Sequence, residues 1–398
     1  MRIAHLIPQF YPRVGGAEVC VHNICSKLSG SGHQAVVVTT SPPPKNPPNL
    51  PYKIEYLWEK TCGMFRRLPK FIGSRYLNYA LGKLQDKYSF DLWQVTNGWP
   101  LGAFAVDFFR NQKIPCVLRC CGEDIQKYSQ IGYGVRLDIR IDKIIKEKFP
   151  RFNSFVALTP SVKYEYNNIG IPDEKIRIIP NGADTSKFLK LSDGKKDEVR
   201  KKFQLKYPPS YPLILTVGRY HPKKGFDIIP EIASLLNQRG IAFNWIIAGR
   251  GTKNILHKYP KAKDIGVCPV EDFSGICEED VFDLPSGDLI ELYCASDIFV
   301  LPTLIETFGM VLVEAMAAGL PVITTDAPGV RDVVCDGKEG LITPVGDVNS
   351  LADKIELLLK DKLLHNNLKK GALESSKKYD WDNVCRMYLE LYENTILT

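Results

Sequence analysis

Short apolar runs alternate with amphipathic stretches along the whole chain. The first apolar run is followed by a stretch in which Val21, Ile24 and Leu28 recur at helical spacing, and then by a second apolar run at 35–39. This order of strand, helix and strand predicts a parallel sheet with helices on both faces. Further short strands are predicted in the first half of the chain at 92–95, 116–118, 154–158 and 176–179.

A second series of the same kind fills the second half, with strands predicted at 213–217, 243–248, 298–301, 321–324 and 340–343. Between the two series lies a polar, Lys-rich stretch at about 185–212, which we interpret as a domain junction. We therefore expect an α/β protein with two doubly wound Rossmann-like domains, at 1–184 and 185–379, and a last amphipathic helix at 380–398. Because such domains bind ligands at the carboxyl ends of their strands, the site is expected in a cleft where they face each other.

The composition is that of an ordinary folded protein. Of 398 residues, 44% are apolar and 24% are charged. No apolar run approaches the roughly 20 residues of a membrane-spanning helix, so we expect neither a signal peptide nor a transmembrane helix, and a cytoplasmic location. The eleven cysteines are odd in number and include no CxxC pair, which argues against a disulfide framework and against a structural zinc site.

The net charge of +7 is unevenly distributed, because residues 1–184 carry 25 Lys or Arg against 15 Asp or Glu. These basic residues are dispersed and accompany no recognition motif, so no nucleic-acid partner is expected. An anionic membrane surface fits better, with a candidate contact at 64–76, where aromatic and basic residues interleave. Plain solvated surface is the alternative. A basic helical face is expected to add to this contact, formed by Arg136, Arg140, Lys143 and Lys146.

Candidate anion-binding residues follow the predicted strands. Gly15-Gly16 stands before the first helix, where glycine lets the backbone approach an anion and the helix amino terminus favours negative charge. Arg219 and Lys224 follow the strand at 213–217; Arg suits bidentate contact with phosphate, and Lys adds a point charge. A structural glycine turn and solvated loop charges are the alternatives. Gly249-Arg250-Gly251 is too short for a dinucleotide-binding fingerprint.

The most informative stretch is 306–321. From Gly309 to Ala318 it is predicted to be a helix, and glycine follows directly. Apart from Glu314 this helix is apolar on every side, so it is expected to be buried, where a lone carboxylate needs a partner. Ligand hydroxyls would be suitable donors to Glu314, and Glu306 would lie near helix amides whose dipole attracts phosphate. The alternatives are a structural ion pair for Glu314 and a solvated loop for Glu306.

In these residues the chain resembles the retaining, nucleotide-sugar-dependent glycosyltransferases of family 4 (glycosyl transferases group 1), which have the GT-B fold. The resemblance runs along nearly the whole chain and is stronger in the second domain. In the first domain it is carried by 12–18, Gly32-His33 and 179–184. In the second it is carried by 217–219 with Lys224-Gly225, by 292–303, by Glu306 and Glu314 with seven residues between them, and by 327–330.

The resemblance implies a role for each matching residue. Arg219 and Lys224 would neutralise the donor diphosphate, and Glu314 would hold the ribose hydroxyls. Gly16 would contact the diphosphate from the opposite domain. Glu306 would be a catalytic residue that holds the donor sugar and phosphate together with the amides around Phe308, Gly309 and Met310.

The resemblance also implies a reaction. A sugar would pass from a nucleotide-diphosphate sugar, for which we expect UDP, to a glycan or lipid-linked acceptor in cell-surface polysaccharide synthesis. The configuration would be retained by front-face attack, without a dedicated nucleophile, a catalytic metal or another cofactor. The enzyme would be cytoplasmic and peripheral on the inner face of the membrane. The last helix would cross back to the first domain.

One position departs from the family's pattern. The family often has His-Gly-x-Asp after a strand of the first domain, whereas this chain has Cys121-Gly122-Glu123-Asp124. Asp124 is carried over as an active-site carboxylate, and the sugar contact of the histidine is left without a residue. Asp380-Trp381-Asp382 matches a DxD metal pattern by spelling, but we interpret it as the start of the last helix.

Two other functions stay open at this point. A GT-B nucleotide-sugar epimerase or phosphorylase would turn over without a sugar acceptor, or with phosphate, and the segment from Glu306 to Glu314 disfavours it. A non-catalytic nucleotide-sugar-binding protein, suggested by Cys121, would bind without turnover. The donor sugar, the acceptor, the linkage and the oligomeric state are also open.

Overall fold

The computed structural model describes residues 1–11, 14–57, 70–188, 190–271, 282 and 285–397, and at 70–74 it describes the backbone alone. These residues form two compact units. Unit 1 consists of Met1–Gly182, Phe282 and the C-terminal helix that begins at Trp381. Unit 2 consists of the described residues of 183–271 and 285–380.

Each unit is built on a parallel sheet. The strands described in unit 1 are β1 (Arg2–Ile7), β2 (Gln34–Thr39), β3 (Lys53–Tyr56), β4 (Leu92–Thr96), β5 (Cys116–Arg119), β6 (Ser154–Ala157) and β7 (Ile176–Ile178). Those described in unit 2 are β8 (Leu213–Val217), β9 (Asn244–Ala248), β10 (Val267–Val270), β11 (Ile298–Leu301), β12 (Val322–Thr325) and β13 (Gly340–Thr343).

Helices connect these strands in both units. Those of unit 1 before the junction are α1 (Gly16–Gly30), α2 (Lys70–Tyr88), α3 (Ala103–Asn111), α4 (Ile139–Lys148) and α5 (Pro160–Asn167). Those of unit 2 are α6 (Asp193–Lys201), α7 (Ile229–Gln238), α8 (Ile255–Lys258), α9 (Gly287–Ala295), α10 (Met310–Ala317), α11 (Val348–Lys360) and α12 (Lys362–Ser376). The last helix, α13 (Trp381–Leu397), belongs to unit 1.

The order of the strands is that of a doubly wound fold. Among the described residues, unit 1 has the order β3-β2-β1-β4-β5-β6-β7 and unit 2 the order β10-β9-β8-β11-β12-β13, with every neighbouring pair parallel. The chain order reverses between β1 and β4, and again between β8 and β11. In such a sheet the loops at the carboxyl ends separate at this point and leave room for a ligand.

Helices cover both faces of the first sheet. Alternate residues of β1 point to opposite faces, so that Ile3 and Ile7 pack in one apolar core and Ala4 and Leu6 in another. The first core also takes residues of α1 and α13, and the second takes residues of α2 to α5. This two-sided burial explains why the strands are continuous apolar runs in the sequence.

The predicted fold class, α/β with two doubly wound Rossmann-like domains, is confirmed. The predicted strands are present, with ends that differ by at most one residue. Two strands at the edges of the sheets, β3 and β10, were not predicted. Lys53–Tyr56 follows a Pro-rich loop and is only partly buried, and Pro269 interrupts the apolar run of the other, which a strand tolerates at an edge.

Candidate functional site

Two loops meet at the carboxyl ends of β8 and β11 in unit 2. After β8 the chain passes through Arg219 into a short 3₁₀ turn, Pro222–Lys224. After β11 the loop 302–309 leads into α10. The hydroxyl of Thr303 and the backbone N–H of Leu304 both donate to the carbonyl oxygen of Lys223, each at 2.7 Å. The two loops are therefore fixed to each other by hydrogen bonds.

Gly225 allows this close approach. Its φ is +65°, and a Cβ at this position would lie 1.9 Å from the carbonyl oxygen of Pro302. Any side chain would therefore push the two loops apart. The Lys-Gly pair recognised in the sequence places its lysine beside the second loop, because the glycine lets the backbones touch.

Glu306 is buried between two lysines. Its residue is 5% exposed; Oε2 lies 3.3 Å from Nζ of Lys223, and Oε1 forms an ion pair with Nζ of Lys224. Its backbone N–H donates to the carbonyl oxygen of Pro328 at 3.0 Å, which fixes the chain on the other side. Burial alone would raise the pKa of Glu306, but the two ammonium groups outweigh it and lower the pKa to about 2. Glu306 is therefore a fixed negative charge, and the alternative of a solvated loop is excluded for it.

The amino end of α10 lies directly after this loop. Gly309 precedes the helix with a φ of +83°, and no side chain caps it. The first amides of a helix lack partners within it, so this end is suited to an anion. The side chain of Phe308 is buried and packs edge-on against Tyr379, with ring centroids 5.4 Å apart. At this position only the backbone is placed for ligand contact.

Glu314 lies one turn further along α10 and is 8% exposed. The buried hydroxyl of Tyr293, on α9, donates to its Oε2 at 2.8 Å. Burial raises the pKa of Glu314 to about 6, although the Tyr293 hydrogen bond and the charge of Lys224 oppose the rise. A hydrogen bond to a tyrosine thus takes the place of the ion pair considered from the sequence.

Arg219 has a different environment from the two lysines. It is exposed, and no residue in the described part of the chain forms an ion pair with it. Its guanidinium group adds positive charge at the end of β8, and this charge contributes to lowering the pKa of Lys223, after burial itself. An exposed cation beside a buried cluster of ion pairs is suited to binding an anionic ligand.

The predicted site residues of unit 1 lie in loops at the carboxyl edge of its sheet. Gly16 is the exposed first residue of α1, and the carboxylate of Glu18 accepts a hydrogen bond from the backbone N–H of Gly15 at 2.9 Å. This helix end is thus capped by its own glutamate. Pro12 and Arg13, which belong to the same motif, lie outside the described residues.

Asp124 is engaged by the backbone of its own loop. It is 6% exposed; Oδ1 accepts from the N–H groups of Cys121 and Gly122 at 3.0 and 2.9 Å, and Oδ2 accepts from Gly98 at 2.7 Å. These bonds connect the loop after β5 with the one after β4. The structure therefore gives Asp124 a role in shaping the loop, while the predicted catalytic role stays a prediction.

Cys121, at the position of the family's histidine, contacts a buried arginine. The Nη1 atom of Arg119 lies 3.1 Å from its Sγ, and Nη2 donates to Asn181 Oδ1 at 2.6 Å. Burial raises the pKa of the Cys121 thiol to about 12, despite this cation. The thiol is therefore neutral and unsuited to act as a nucleophile near neutral pH.

Sequence reasoning missed three residues that organise these loops. Lys223 directly precedes Lys224, Tyr293 lies in the matched run 292–303 and Arg119 follows the strand predicted at 116–118, but the sequence analysis assigns no role to any of them. The sequence offered two signals for them: two consecutive lysines before a glycine, and a tyrosine in an apolar stretch. The partner of each depends on tertiary contacts, and for Arg119 no sequence signal indicated burial.

The predicted basic face near α4 is wrong in part. Arg136 is buried and forms ion pairs with Asp142 at 2.8 Å and Glu165 at 2.9 Å. Lys146 pairs with Asp142 at 2.7 Å, so much of the expected positive charge is neutralised. Of the aromatic-basic segment 64–76, positions 64–69 lie outside the described residues. Among the residues described, none of the helices is long and apolar enough to cross a membrane.

Comparisons with known proteins show the family of the chain. The sequence model of the family Glycosyltransferase Family 4 matches residues 14–187, and that of the family Glycosyl transferases group 1 matches residues 211–361. The sulfoquinovosyl transferase SQD2 of Arabidopsis thaliana is 31% identical over 176 residues, which are 44% of this chain and 31% of that protein. The N,N'-diacetylbacillosaminyl-diphospho-undecaprenol alpha-1,3-N-acetylgalactosaminyltransferase of Campylobacter jejuni is 27% identical over 259 residues, 64% of each protein.

Among solved structures, HepE of Anabaena in complex with UDP is similar, with a TM-score of 0.75 at 17% identity over 99% of this chain and 100% of that one. The fold is thus that of the GT-B glycosyltransferases. The chain belongs to the glycosyltransferases of group 1 and family 4, which the two models describe. It spans about half the length of most of the curated relatives that it matches.

Proposed function

We propose that the chain is a retaining glycosyltransferase that moves a sugar from a UDP-sugar to a glycan or lipid-linked acceptor in cell-surface polysaccharide synthesis. The observation that carries this proposal is the buried Glu306, held between Lys223 and Lys224 beside the uncapped amino end of α10. Fixed charges of both signs at a helix end suit a ligand that combines a diphosphate with a hydroxylated sugar.

The donor is bound by unit 2 in this proposal. Arg219 and Lys224 neutralise the diphosphate together with the backbone amides around Gly309 and Met310. Glu314 accepts hydrogen bonds from the ribose hydroxyls, and Glu306 holds the donor sugar. The similar structure of HepE in complex with UDP supports a uridine nucleotide. Gly16 of unit 1 contributes a backbone contact to the diphosphate.

Retention follows in this proposal from attack on the face that the diphosphate leaves. A leaving-phosphate oxygen then helps to take the proton of the acceptor hydroxyl, and the protein supplies orientation and charge. The neutral thiol of Cys121 and the three backbone hydrogen bonds to Asp124 both argue against a covalent intermediate on the loop after β5. No metal or other cofactor is part of the proposal.

The acceptor class rests on the relatives. The Campylobacter relative acts, by its name, on a diphospho-undecaprenol, a lipid-linked acceptor. A cytoplasmic enzyme on the inner face of an anionic membrane would meet such an acceptor directly, and the basic composition of residues 1–184 supports this location. Flotation of the protein with anionic liposomes tests the membrane contact. Absence of binding to the liposomes would contradict it.

A panel of UDP-, GDP- and ADP-sugars tests the proposal without an acceptor. We expect one UDP-sugar to raise the unfolding midpoint and to release nucleotide slowly, with both signals weakened in Arg219→Ala and the nucleotide release lost in Glu306→Ala. Binding without release, even when candidate acceptors are added, would favour a binding protein. A panel without any signal would contradict the proposed donor site.

A further inference from the structure

Lys223 and Lys224 are adjacent in the sequence, and both pair with the carboxylate of Glu306. Nζ of Lys223 lies 3.3 Å from Oε2 of Glu306, and Lys224 pairs with Oε1. Each oxygen thus has its own ammonium group. Two positive charges face one negative charge, so the cluster keeps a net positive charge when both pairs are formed.

The two lysines differ in how firmly they are held. The carbonyl oxygen of Lys223 accepts the two hydrogen bonds from Thr303 and Leu304, and its backbone N–H donates to Nδ1 of His221 at 3.2 Å. Its side chain is 15% exposed beside the loop that carries Glu306, and that of Lys224 is 13% exposed, so the difference between the two lysines lies in the backbone, where the N–H of Lys224 donates within its own turn to the carbonyl oxygen of His221. Lys223 is therefore attached to that loop by both its backbone and its side chain.

Lys224 lies closer to the end of β8. A Cβ built on Gly218 would meet Cε of Lys224 at 3.4 Å and Nζ at 3.7 Å, so its side chain runs along the glycine that ends the strand. Arg219 follows that glycine directly. A diphosphate bound by Arg219 would attract the Lys224 ammonium group, because two negative charges compete with one carboxylate.

If Lys224 moved to the diphosphate, Lys223 would be the ammonium group that stays paired with Glu306. A carboxylate that is 5% exposed pays a large desolvation penalty unless a cation remains in contact. Lys223 is in that position, because its backbone is bonded to the loop that carries Glu306. The two lysines are therefore suited to different tasks.

We propose that Lys223 is a positioning residue that holds the carboxylate of Glu306 charged and in place while Lys224 and Arg219 bind the donor diphosphate. This inference rests on the proposed function. It predicts that Lys223 affects donor turnover through Glu306, whereas Lys224 affects nucleotide affinity directly.

The test compares Lys223→Met, Lys223→Gln, Lys223→Arg and Lys224→Met with the wild type. UDP affinity is measured by calorimetry and nucleotide release from the UDP-sugar by kcat and KM. We expect Lys223→Met and Lys223→Gln to lose about tenfold to a hundredfold in kcat, as for a lost charged hydrogen bond, and to lose less affinity for UDP than Lys224→Met does. Lys223→Arg should restore kcat, and Lys224→Met should weaken UDP binding.

The matched control is Lys202→Met, which removes an exposed ion pair with Glu291 (2.8 Å) in the same unit and should leave both readouts unchanged. Thermal unfolding checks that each variant is folded, and the glutamine variant replaces the methionine one if the latter is not. Equal loss of UDP affinity in Lys223→Met and Lys224→Met, or full kcat in Lys223→Gln, would overturn the inference. Failure of the wild type to bind any UDP-sugar would instead overturn the proposed function.

Discussion

The loop after β11 in unit 2 and the loop after β5 in unit 1 each carry a buried carboxylate, but the two carboxylates have different partners. The two sheets have a similar strand order, in which β11 is next to β8 and β5 is the second strand after β1. In unit 2, Glu306 pairs with lysine side chains and keeps its charge in a cluster that faces a helix end. In unit 1, Asp124 is saturated by three backbone amides. The same fold thus builds a loop held by charged side chains in one unit and a loop held by backbone hydrogen bonds in the other.

This difference is consistent with the sequence. The segment from Glu306 to Glu314 follows the family's pattern, whereas Cys121 departs from it. We infer that donor recognition is concentrated in unit 2, and that the loop of unit 1 acts through its shape. Substitutions in both loops and the pH dependence of donor binding test this comparison.

The largest effect is expected for Glu306→Gln. The neutral amide no longer forms ion pairs with Lys223 and Lys224 and no longer holds the donor sugar in place. Nucleotide release should therefore fall about a hundredfold. UDP affinity should persist because the cations remain. Kinetics with the UDP-sugar check this, with Glu374→Gln as the control, since Glu374 forms an exposed pair with Lys377 at 2.6 Å. Equal turnover in Glu306→Gln and Glu374→Gln would show that Glu306 does not belong to the site.

Arg219→Ala should weaken binding of the UDP-sugar about tenfold or more, because a charged hydrogen bond contributes roughly 1.5–3 kcal/mol. Since Arg219 is exposed, the unfolding midpoint should not change. Titration calorimetry measures the affinity, and Arg140→Ala in unit 1 is the control. A loss of stability with unchanged affinity would assign Arg219 to the fold instead of the ligand.

The pH dependence of donor binding should report Glu314. Its pKa of about 6 means that the carboxylate gains a proton as the pH falls through that value, and one acceptor for the ribose is then lost. Glu306, with a pKa of about 2, stays charged over the same range. Affinity should therefore decrease below about pH 6, and the UDP-sugar is the probe because a terminal phosphate itself titrates at about pH 6.

Tyr293→Phe sharpens this test. It removes the hydrogen bond that lowers the pKa of Glu314, so the loss of affinity should move to higher pH. Tyr211→Phe, at an exposed tyrosine of the same unit, should leave the profile unchanged. A profile that does not move in Tyr293→Phe would show that another group controls donor binding.

Asp124→Asn should affect stability more than donor binding. An amide cannot accept all three backbone hydrogen bonds, so the free energy of unfolding should decrease by about 2 kcal/mol. Thermal unfolding measures this against Asp173→Asn, where an exposed pair with Lys163 (2.8 Å) is lost. If turnover disappears while stability is unchanged, Asp124 has the catalytic role predicted from the sequence.

The smallest effect is expected for Cys121→Ser. The hydroxyl keeps an acceptor for Arg119, and the neutral thiol has no part in donor binding. Affinity for the UDP-sugar should therefore equal that of the wild type in calorimetry. A marked loss would show that the loop of unit 1 belongs to the donor site, and the comparison between the two loops would fail.

The sheets were predictable from the sequence because parallel strands are short apolar runs separated by helices. The strands β8 and β11 are buried throughout, and their pattern was recognised without ambiguity. The edge strands β3 and β10 escaped because they are short and either half-buried or interrupted by proline. Edge positions impose weaker patterns than central ones.

The site was predictable only as far as residues lie close along the chain. Glu306, Gly309 and Glu314 belong to one segment, so their grouping was visible. The pairing of Glu306 with Lys223, 83 positions away, depends on how β8 and β11 adjoin. For Asp124, the sequence showed a carboxylate but could not show that its acceptor sites are used by backbone amides, because that depends on loop geometry.

A crystal structure of the chain with UDP tests the central claim most directly. We expect the diphosphate within hydrogen-bonding distance of Arg219 and Lys224, the ribose hydroxyls at Glu314, and Lys223 still paired with Glu306. UDP bound elsewhere, with these side chains uninvolved, would contradict it.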